Sequence, residues 1–361
     1  ARAAPAAAGG AFARYCAEHG KAYGDPAEYE LRRSLFERRA AAVVAHNAAR
    51  AASHTLSVNH LSDWTEDELR GLTSGYKRDD FEALPTQVPF DEAEFEGDDF
   101  ELPEEFDWRD AQPSVVTAVK NQGHCGSCWA FSATETLESA VALSGGGELF
   151  NASTQEFVSC VRNKLECGGT GGCGGATARL AFDWAVSNGI TPEGLYPYTQ
   201  TTGTCETAKL EPKAGITGFV ALPRNKPNHL ARALVKHGPI SVTVAAARWA
   251  PYGGGVYNDT DECGFDLDHL VQLVGYGTDA ATGQRYWTIR NSWGPTWGEG
   301  GYIRLAREAE GDEPAEGVDT SPQEGYTCKG GPANITVKGV CGLYSDSAYP
   351  TGAYMKTKAQ A

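Results

Sequence analysis

The sequence predicts an α+β protein in which a helical N-terminal unit precedes a body of two lobes, one helical and one β-rich. Three observations carry this. Residues 11–76 are rich in Ala, Arg and Glu, place apolar residues at helical spacing, and hold a single cysteine, Cys16. Residues from about 110 to 214 contain two further helical patterns, CWAFSATETLESAVAL and ATARLAFDWAVSNG, among loops that carry half of the cysteines. After them come short β-branched runs, ISVTV, LVQLVGYG and YWTIRN, which read as strands.

In order along the chain, the helical unit (11–76) is followed by an acidic stretch (77–101) with two prolines and no helical or strand period, the composition of an extended linker. The body spans 102–352, with its helical lobe at about 110–214 and its β lobe at about 215–340, and a tail occupies 353–361. At 361 residues the chain exceeds one ordinary core, and 41% hydrophobic with 22% charged residues suits soluble globular domains. A net charge of -16 argues against nucleic acid and against an anionic membrane surface as partners. No apolar run reaches membrane-spanning length. The chain opens ARAAPAAAGG and its one methionine is Met355, so a secretory leader is expected to have been removed or to lie outside this sequence. Ten cysteines, with N-x-S/T sequons at Asn151, Asn258 and Asn334, favour the secretory pathway, leading to an acidic lysosome-like or vacuole-like compartment or to the outside of the cell.

The chemistry concentrates at Asn121 to Ser132, NQGHCGSCWAFS. A Gly-rich lead-in followed by an apolar helical pattern puts Cys128 at the first turn of a helix. Unpaired N–H groups and partial positive charge there stabilise a thiolate, which makes Cys128 a candidate nucleophile. Cys125 and Cys128 also form a C-x-x-C, the pattern of a redox dithiol or half of a zinc site. No βαβ pattern precedes it and no second metal-spaced pair follows, so neither a metal nor a cofactor is expected. A nucleophilic cysteine needs a base. Of the three histidines after Cys128, His229 sits in the polar stretch RNKPNHL and His237 precedes Gly-Pro, which suggests surface or turn positions, whereas His269 adjoins an apolar strand.

The string CGSCW, His269 placed 141 residues after Cys128, and YWTIRNSWGPTWGEGGY with Asn291 resemble the papain family of cysteine proteases, its cathepsin L-like branch in particular. The N-terminal unit resembles the family's inhibitory propeptide. Glu28, Arg32, Phe36, Val43 and Asn47 fall on the ERFNIN spacing, with Arg39 in place of its first asparagine, and Ser57, Asn59, Leu61 and Asp63 follow G-x-N-x-F-x-D with two conservative departures. The resemblance implies a papain-like two-lobe fold with the active site in the cleft. His269 would take the thiol proton of Cys128, Asn291 would orient the imidazole, Trp293 would shield that bond, and Gln122 with the Cys128 N–H would hold the oxyanion. It further implies disulfides Cys125–Cys173, Cys160–Cys205 and Cys263–Cys341, although Cys167 is as well placed as Cys173 to reach Cys125. Cys16, Cys167 and Cys328 are left over, and the long Gly-, Pro- and acid-rich segment 307–340 has no assigned role.

For the substrate, the resemblance implies a cleft lined by Gly175, Ala176 and Asp268 and an acyl-side pocket walled by Thr177, Ala178, Thr243, Leu267 and Leu270. Asp346 at the pocket floor would either pair with a substrate arginine or turn out to solvent. LPEEFDWRD at Leu102 resembles the mature N-terminus, which puts the activation cut in roughly the last dozen linker residues. The expected partners are peptide and protein substrates and the chain's own N-terminal unit, and a monomer is expected. Protonation of Glu28, Asp63 and the linker carboxylates would release the inhibitory unit at acidic pH. Two other readings stay open on the sequence: a catalytically silent relative or propeptide-type inhibitor, and a thiol-disulfide oxidoreductase using Cys125 and Cys128.

Overall fold

A computed structural model of the chain describes residues 10–49, 53–73, 84–95, 101–145, 149–164, 166, 169–309, 311–322 and 332–356. The N-terminal unit holds helices α1 (Ala11–Glu18), α2 (Pro26–Ala48) and α3 (Glu66–Thr73) and strand β1 (His54–Leu56). Strands β2 (Gln87–Val88) and β3 (Phe106–Asp107) lead to the helical lobe, made of α4 (Cys128–Ser144), α5 (Thr154–Cys160) and α6 (Ala178–Asn188). Then follow β4 (Ala214–Gly215), β5 (Gly218–Ala221), α7 (Pro227–His237), β6 (Ile240–Val244), β7 (Tyr252–Tyr257) and α8 (Thr260–Cys263). The chain continues with β8 (His269–Thr278), β9 (Arg285–Arg290), β10 (Tyr302–Ala306), β11 (Glu316–Asp319), β12 (Ile335–Lys338), β13 (Ser347–Thr351) and β14 (Tyr354–Met355).

Local chemistry starts the helices that matter for the site. α2 begins where Asp25 accepts the Ala27 N–H and Pro26 supplies a preset φ at the first helical position. Its Phe36 packs on Phe12 and Tyr15, with ring centroids 5.5 and 4.6 Å away, giving the N-terminal unit a small aromatic core of its own. α4 follows Ser127 directly and is buried nearly all round, its Ser132, Glu135 and Glu138 included, because it lies between the lobes. α6 is capped by Thr177, whose hydroxyl accepts the Leu180 N–H.

The β lobe is organised on a ten-stranded sheet in the order β1-β7-β10-β9-β8-β6-β13-β5-β2, with β3 paired to β8. Both outer strands come from outside the body: β1 of the N-terminal unit runs antiparallel to β7, and β2 of the linker runs parallel to β5. The N-terminal segments therefore cover both edges of the sheet, whose backbone groups would otherwise be unpaired.

Three features depart from the sequence reading. The polar stretch RNKPNHL is not a loop but the start of α7: Pro227 stands where a missing N–H costs nothing, and Leu230, Ala231, Ala233 and Leu234 bury one face. His229 and His237 are thus helix residues. The linker is not featureless either, since besides β2 it forms a 3₁₀ turn at Glu92–Glu94 that seats Phe95 on α7, where Arg232 Nη1 donates to the Phe95 carbonyl at 2.8 Å. Its acidic composition masked the two apolar anchors, Phe90 and Phe95. Finally, β13 joins the main sheet beyond residue 340, and Tyr354 and Met355, expected in a tail, pair with β4. Residues 77–83 and 96–100 of the linker, and Cys167 and Cys328, lie outside the described residues.

Candidate active site

The loop before α4 is tied down from several sides. The Gln122 N–H donates to the Ser292 carbonyl at 2.8 Å, the Ser127 N–H to the Cys125 carbonyl at 2.7 Å, and Cys125 is joined to Cys173. Trp129 anchors the first turn of α4 by donating from Nε1 to the Gly172 carbonyl at 3.0 Å. Cys128, the first residue of α4, forms no disulfide and is completely buried. Since Cys125 closes on Cys173, the dithiol pair that an oxidoreductase reading requires is not formed.

His269 opens β8, the strand next to β6 and β9, and Asn291 directly follows β9. This adjacency brings residues 22 apart in sequence together: His269 Nε2 donates to Asn291 Oδ1 at 2.8 Å, and the Ser292 N–H donates to the same oxygen at 2.8 Å. With Nε2 engaged, Nδ1 of the ring has no hydrogen-bond partner among the described residues. The Trp293 ring lies 5.0 Å from the imidazole and Trp249 stands edge-on at 6.3 Å, so the His269–Asn291 bond is walled by indoles. Burial pushes the His269 pKa down to about 4, against the opposing effect of its bond to Asn291. Next to Asn291, the buried guanidinium of Arg290 reaches Glu135 of α4 at 3.4 Å and Gln272 of β8 at 3.3 Å. Ser132 of α4 donates to the Val271 carbonyl at 2.8 Å, so the two lobes are pinned on either side of the site.

Gln122 is fully buried, its Oε1 accepting from the Ser292 hydroxyl at 2.7 Å. Its Nε2 donates to the Cys125 carbonyl at 2.9 Å and to the carbonyl of Leu72 at 3.0 Å. Leu72 lies near the end of α3, so the N-terminal unit presents a peptide carbonyl to this amide. The next residue, Thr73, hydrogen-bonds the carboxyl of Asp268, which burial pushes up to about 7. Trp64 stacks on His124, with centroids 4.0 Å apart. Neither Leu72, Thr73, Trp64 nor His124 was flagged from the sequence, because no local pattern tells which turn of a helix will lie over a site.

The N-terminal unit is held by the residues on the recognised spacing. Arg32 pairs with Glu68 at 2.5 Å and Glu28 at 3.3 Å, and Asn47 exchanges hydrogen bonds with the Leu56 backbone at 2.8 and 2.9 Å. Val43 is half-buried on the same helix. Asp63, fully buried, accepts from Tyr15, Tyr23 and Lys21, and Asn59 Nδ2 donates to the Ala250 carbonyl of the body at 2.8 Å. The guanidinium of Arg32 holds the Glu68 carboxyl at about 2, so this pair outlasts mild acid.

On the acyl side, Thr177 caps α6, Ala178 begins it, and both lie buried beside Gly175 and Ala176. Leu267 and Leu270 are buried as well; Thr243 pairs with Leu270 across β6 and β8, and its N–H and hydroxyl both donate to the Asp346 carbonyl, at 3.1 and 3.2 Å. The Asp346 side chain neither turns to solvent nor stands open to a substrate cation: it is buried and bonded to the guanidinium of Arg179, one residue past Ala178 on α6. The sequence reading stopped at Ala178 and missed this partner. Disulfides Cys160–Cys205 and Cys263–Cys341 close the helical lobe and the β lobe, and Asn151, Asn258 and Asn334 are all exposed. Among the described residues no helix is long and apolar enough to cross a membrane, and no group of three His, Cys, Asp or Glu side chains is arranged to hold a metal.

Comparison with known proteins bears on the same segments. Residues 102–323 match the family described as papain family cysteine protease, and residues 12–69 match the cathepsin propeptide inhibitor domain. Cysteine protease 1 of Oryza sativa subsp. japonica is 41% identical over 299 residues, which are 78% of this chain and 56% of that protein. Ananain of Ananas comosus is 32% identical over 348 residues, 94% of this chain and 87% of its own. A solved recombinant stem bromelain precursor has a TM-score of 0.74 at 33% identity, covering 94% of this chain and 97% of that one. The chain belongs to the papain family of cysteine proteases, as a cysteine endopeptidase made as a zymogen with an N-terminal inhibitory propeptide.

Proposed function

We propose that this zymogen hydrolyses peptide bonds through an acyl-enzyme on Cys128, with His269 as base and then acid. The observation that carries the reading is the His269–Asn291 bond: Asn291 holds Nε2, which leaves Nδ1 as the nitrogen that takes the thiol proton. The Cys128 thiolate attacks the substrate carbonyl, and the negative charge moves to its oxygen, stabilised by Gln122 Nε2 and the Cys128 N–H. Collapse breaks the C–N bond as the imidazolium returns its proton to the leaving amine. A water molecule, deprotonated by His269, then releases the acid and restores the thiol. In the zymogen the Leu72 carbonyl occupies the Gln122 donor, so the propeptide blocks the site in the place meant for substrate. Asp107 to Asp110 belong to the mature body, and the cut falls between about 90 and 101. We assign the enzyme to the secretory pathway, in an acidic compartment or outside the cell, as a monomer without nucleic-acid or membrane partners.

Histidines add to the carboxylates as groups through which acid favours release. Burial holds both His54 and His269 at about 4, below their ordinary value of 6.5. Once exposed they bind protons below 6.5, so release takes up protons as pH falls from 6.5 toward 4 and becomes easier. Asp268 acts in the opposite sense, because it is held protonated up to about 7 while covered and gives up that proton on release. His54 of β1 sits against Tyr252 and Tyr257 of β7, with His46 repelling its proton and Asp259 and Glu262 attracting it. The test is mass spectrometry with an irreversible epoxide inhibitor of cysteine proteases. It should label Cys128 after incubation at pH 4 to 5 and not at pH 7, and His54→Phe should move the midpoint of labelling down by about half a pH unit or more. Equal labelling at both pH values would refute latency, and labelling elsewhere than Cys128 would refute the nucleophile.

The Arg179–Asp346 pair sets the expected selectivity of the acyl-side pocket. With its carboxylate already matched, the pocket should prefer an apolar residue at the second position before the scissile bond. A Phe-Arg fluorogenic dipeptide should be cleaved at least about tenfold faster than Arg-Arg, and Arg179→Met should narrow that ratio by about tenfold by exposing Asp346 to the substrate. An unchanged ratio in Arg179→Met would remove the pair from the pocket.

A further inference from the structure

We infer that His124 is a specificity-determining residue, a stacking platform for an aromatic substrate side chain on the leaving-group side of the scissile bond. The inference rests on the catalytic reading of Cys128 given above. His124 lies four residues before Cys128, between Gln122 and Cys125. Its imidazole stacks on the indole of Trp64 with centroids 4.0 Å apart and planes 14° from parallel. Trp64 is only 6% exposed and belongs to the same buried cluster as Trp249, Trp293 and Trp297. The propeptide thus fills an aromatic-lined seat with an indole.

The platform is built by the body and not by the propeptide. Gly123, just before His124, takes a φ of +60°, a conformation that favours glycine. The His124 N–H donates to Gln200 Oε1 at 3.4 Å, and Cys125, just after it, is fastened to Cys173. Removal of the propeptide takes away Trp64 and leaves these restraints in place.

The path of the propeptide says which side of the bond this seat serves. From Trp64 the chain reaches Gln122 at Leu72 and Asp268 at Thr73. Among the described residues after Thr73, Leu84 packs on the helical-lobe core, the Thr86 hydroxyl donates to Asp183 of α6 at 2.7 Å, and β2 runs against β5. α6 is the helix that carries Ala178 and Arg179 of the acyl-side pocket. Trp64 therefore sits on the opposite side of Cys128, where the residues after the scissile bond must run. A flat ring there gains a face-to-face partner that an aliphatic side chain of the same volume does not.

The experiment uses acid-processed enzyme and internally quenched peptides that share one acyl side and carry Trp, Phe, Leu or Ala at the first or second residue after the bond. Wild type should favour Trp and Phe over Ala by about tenfold in kcat/KM at one of these positions, with Leu in between. His124→Ala should bring the aromatic-to-Ala ratio below about twofold, and His124→Phe should restore it by supplying another ring. An aromatic preference that survives in His124→Ala, or that is absent from wild type, overturns the assignment. Failure of the underlying catalytic reading looks different: no peptide of the set would be cleaved and the epoxide would leave Cys128 unlabelled.

Discussion

Cys128→Ala is expected to lower peptide hydrolysis by about five to six orders of magnitude and to stop self-processing, leaving a stable full-length zymogen at pH 4 to 5. Among the described residues no other cysteine is placed to form the acyl-enzyme, because Cys16 lies in the N-terminal unit and the rest are joined in disulfides. Asn291→Ala should cost less, about two to four orders in kcat, since Asn291 orients the imidazole through its 2.8 Å bond without exchanging atoms with the substrate. The pair of variants separates the reacting group from the orienting one. Single-turnover kinetics with a fluorogenic dipeptide, and gel analysis of processing, measure both. Residual processing by Cys128→Ala at the wild-type rate would place the nucleophile elsewhere.

Gln122→Ala is expected to lower kcat/KM by about two to three orders of magnitude, mostly through kcat, because the amide acts on a charge that exists only in the transition state. The geometry adds a second expectation. Gln122 Nε2 also donates to the Leu72 carbonyl, so the same substitution should weaken inhibition by the propeptide and raise the pH at which it leaves. Loss of activity with easier release is a combination that a general folding defect does not produce. A neutral effect on kcat/KM would take Gln122 out of the oxyanion site.

Much of this was legible in the sequence, for reasons that can be named. The first turn of α4 is announced by a Gly-rich lead-in and an apolar helical period, β8 by a largely apolar run, and the N-terminal unit by its helical stripe. α7 was missed because the polarity of RNKPNHL hid a helix start at which Pro227 serves as the first helical residue, and the linker because its charge outweighed Phe90 and Phe95 in any compositional view. Periodicity reports the face a residue turns to the core; it says nothing of which distant element will lie on that face.

By itself the sequence determined the family, the two-lobe architecture and the candidates Cys128, His269, Asn291 and Gln122, since each stands in a short string whose chemistry is local. Only the tertiary structure decided that Leu72 meets Gln122, that Trp64 covers His124, that Arg179 neutralises Asp346, and that β1 and β2 close the two edges of the sheet. These contacts join residues 50, 60 and 167 positions apart. The physical reason is that a hydrogen bond, a ring stack or an ion pair depends on ångström-scale placement of two side chains, which the packing of α3, α6 and the sheet sets and no local pattern along the chain records.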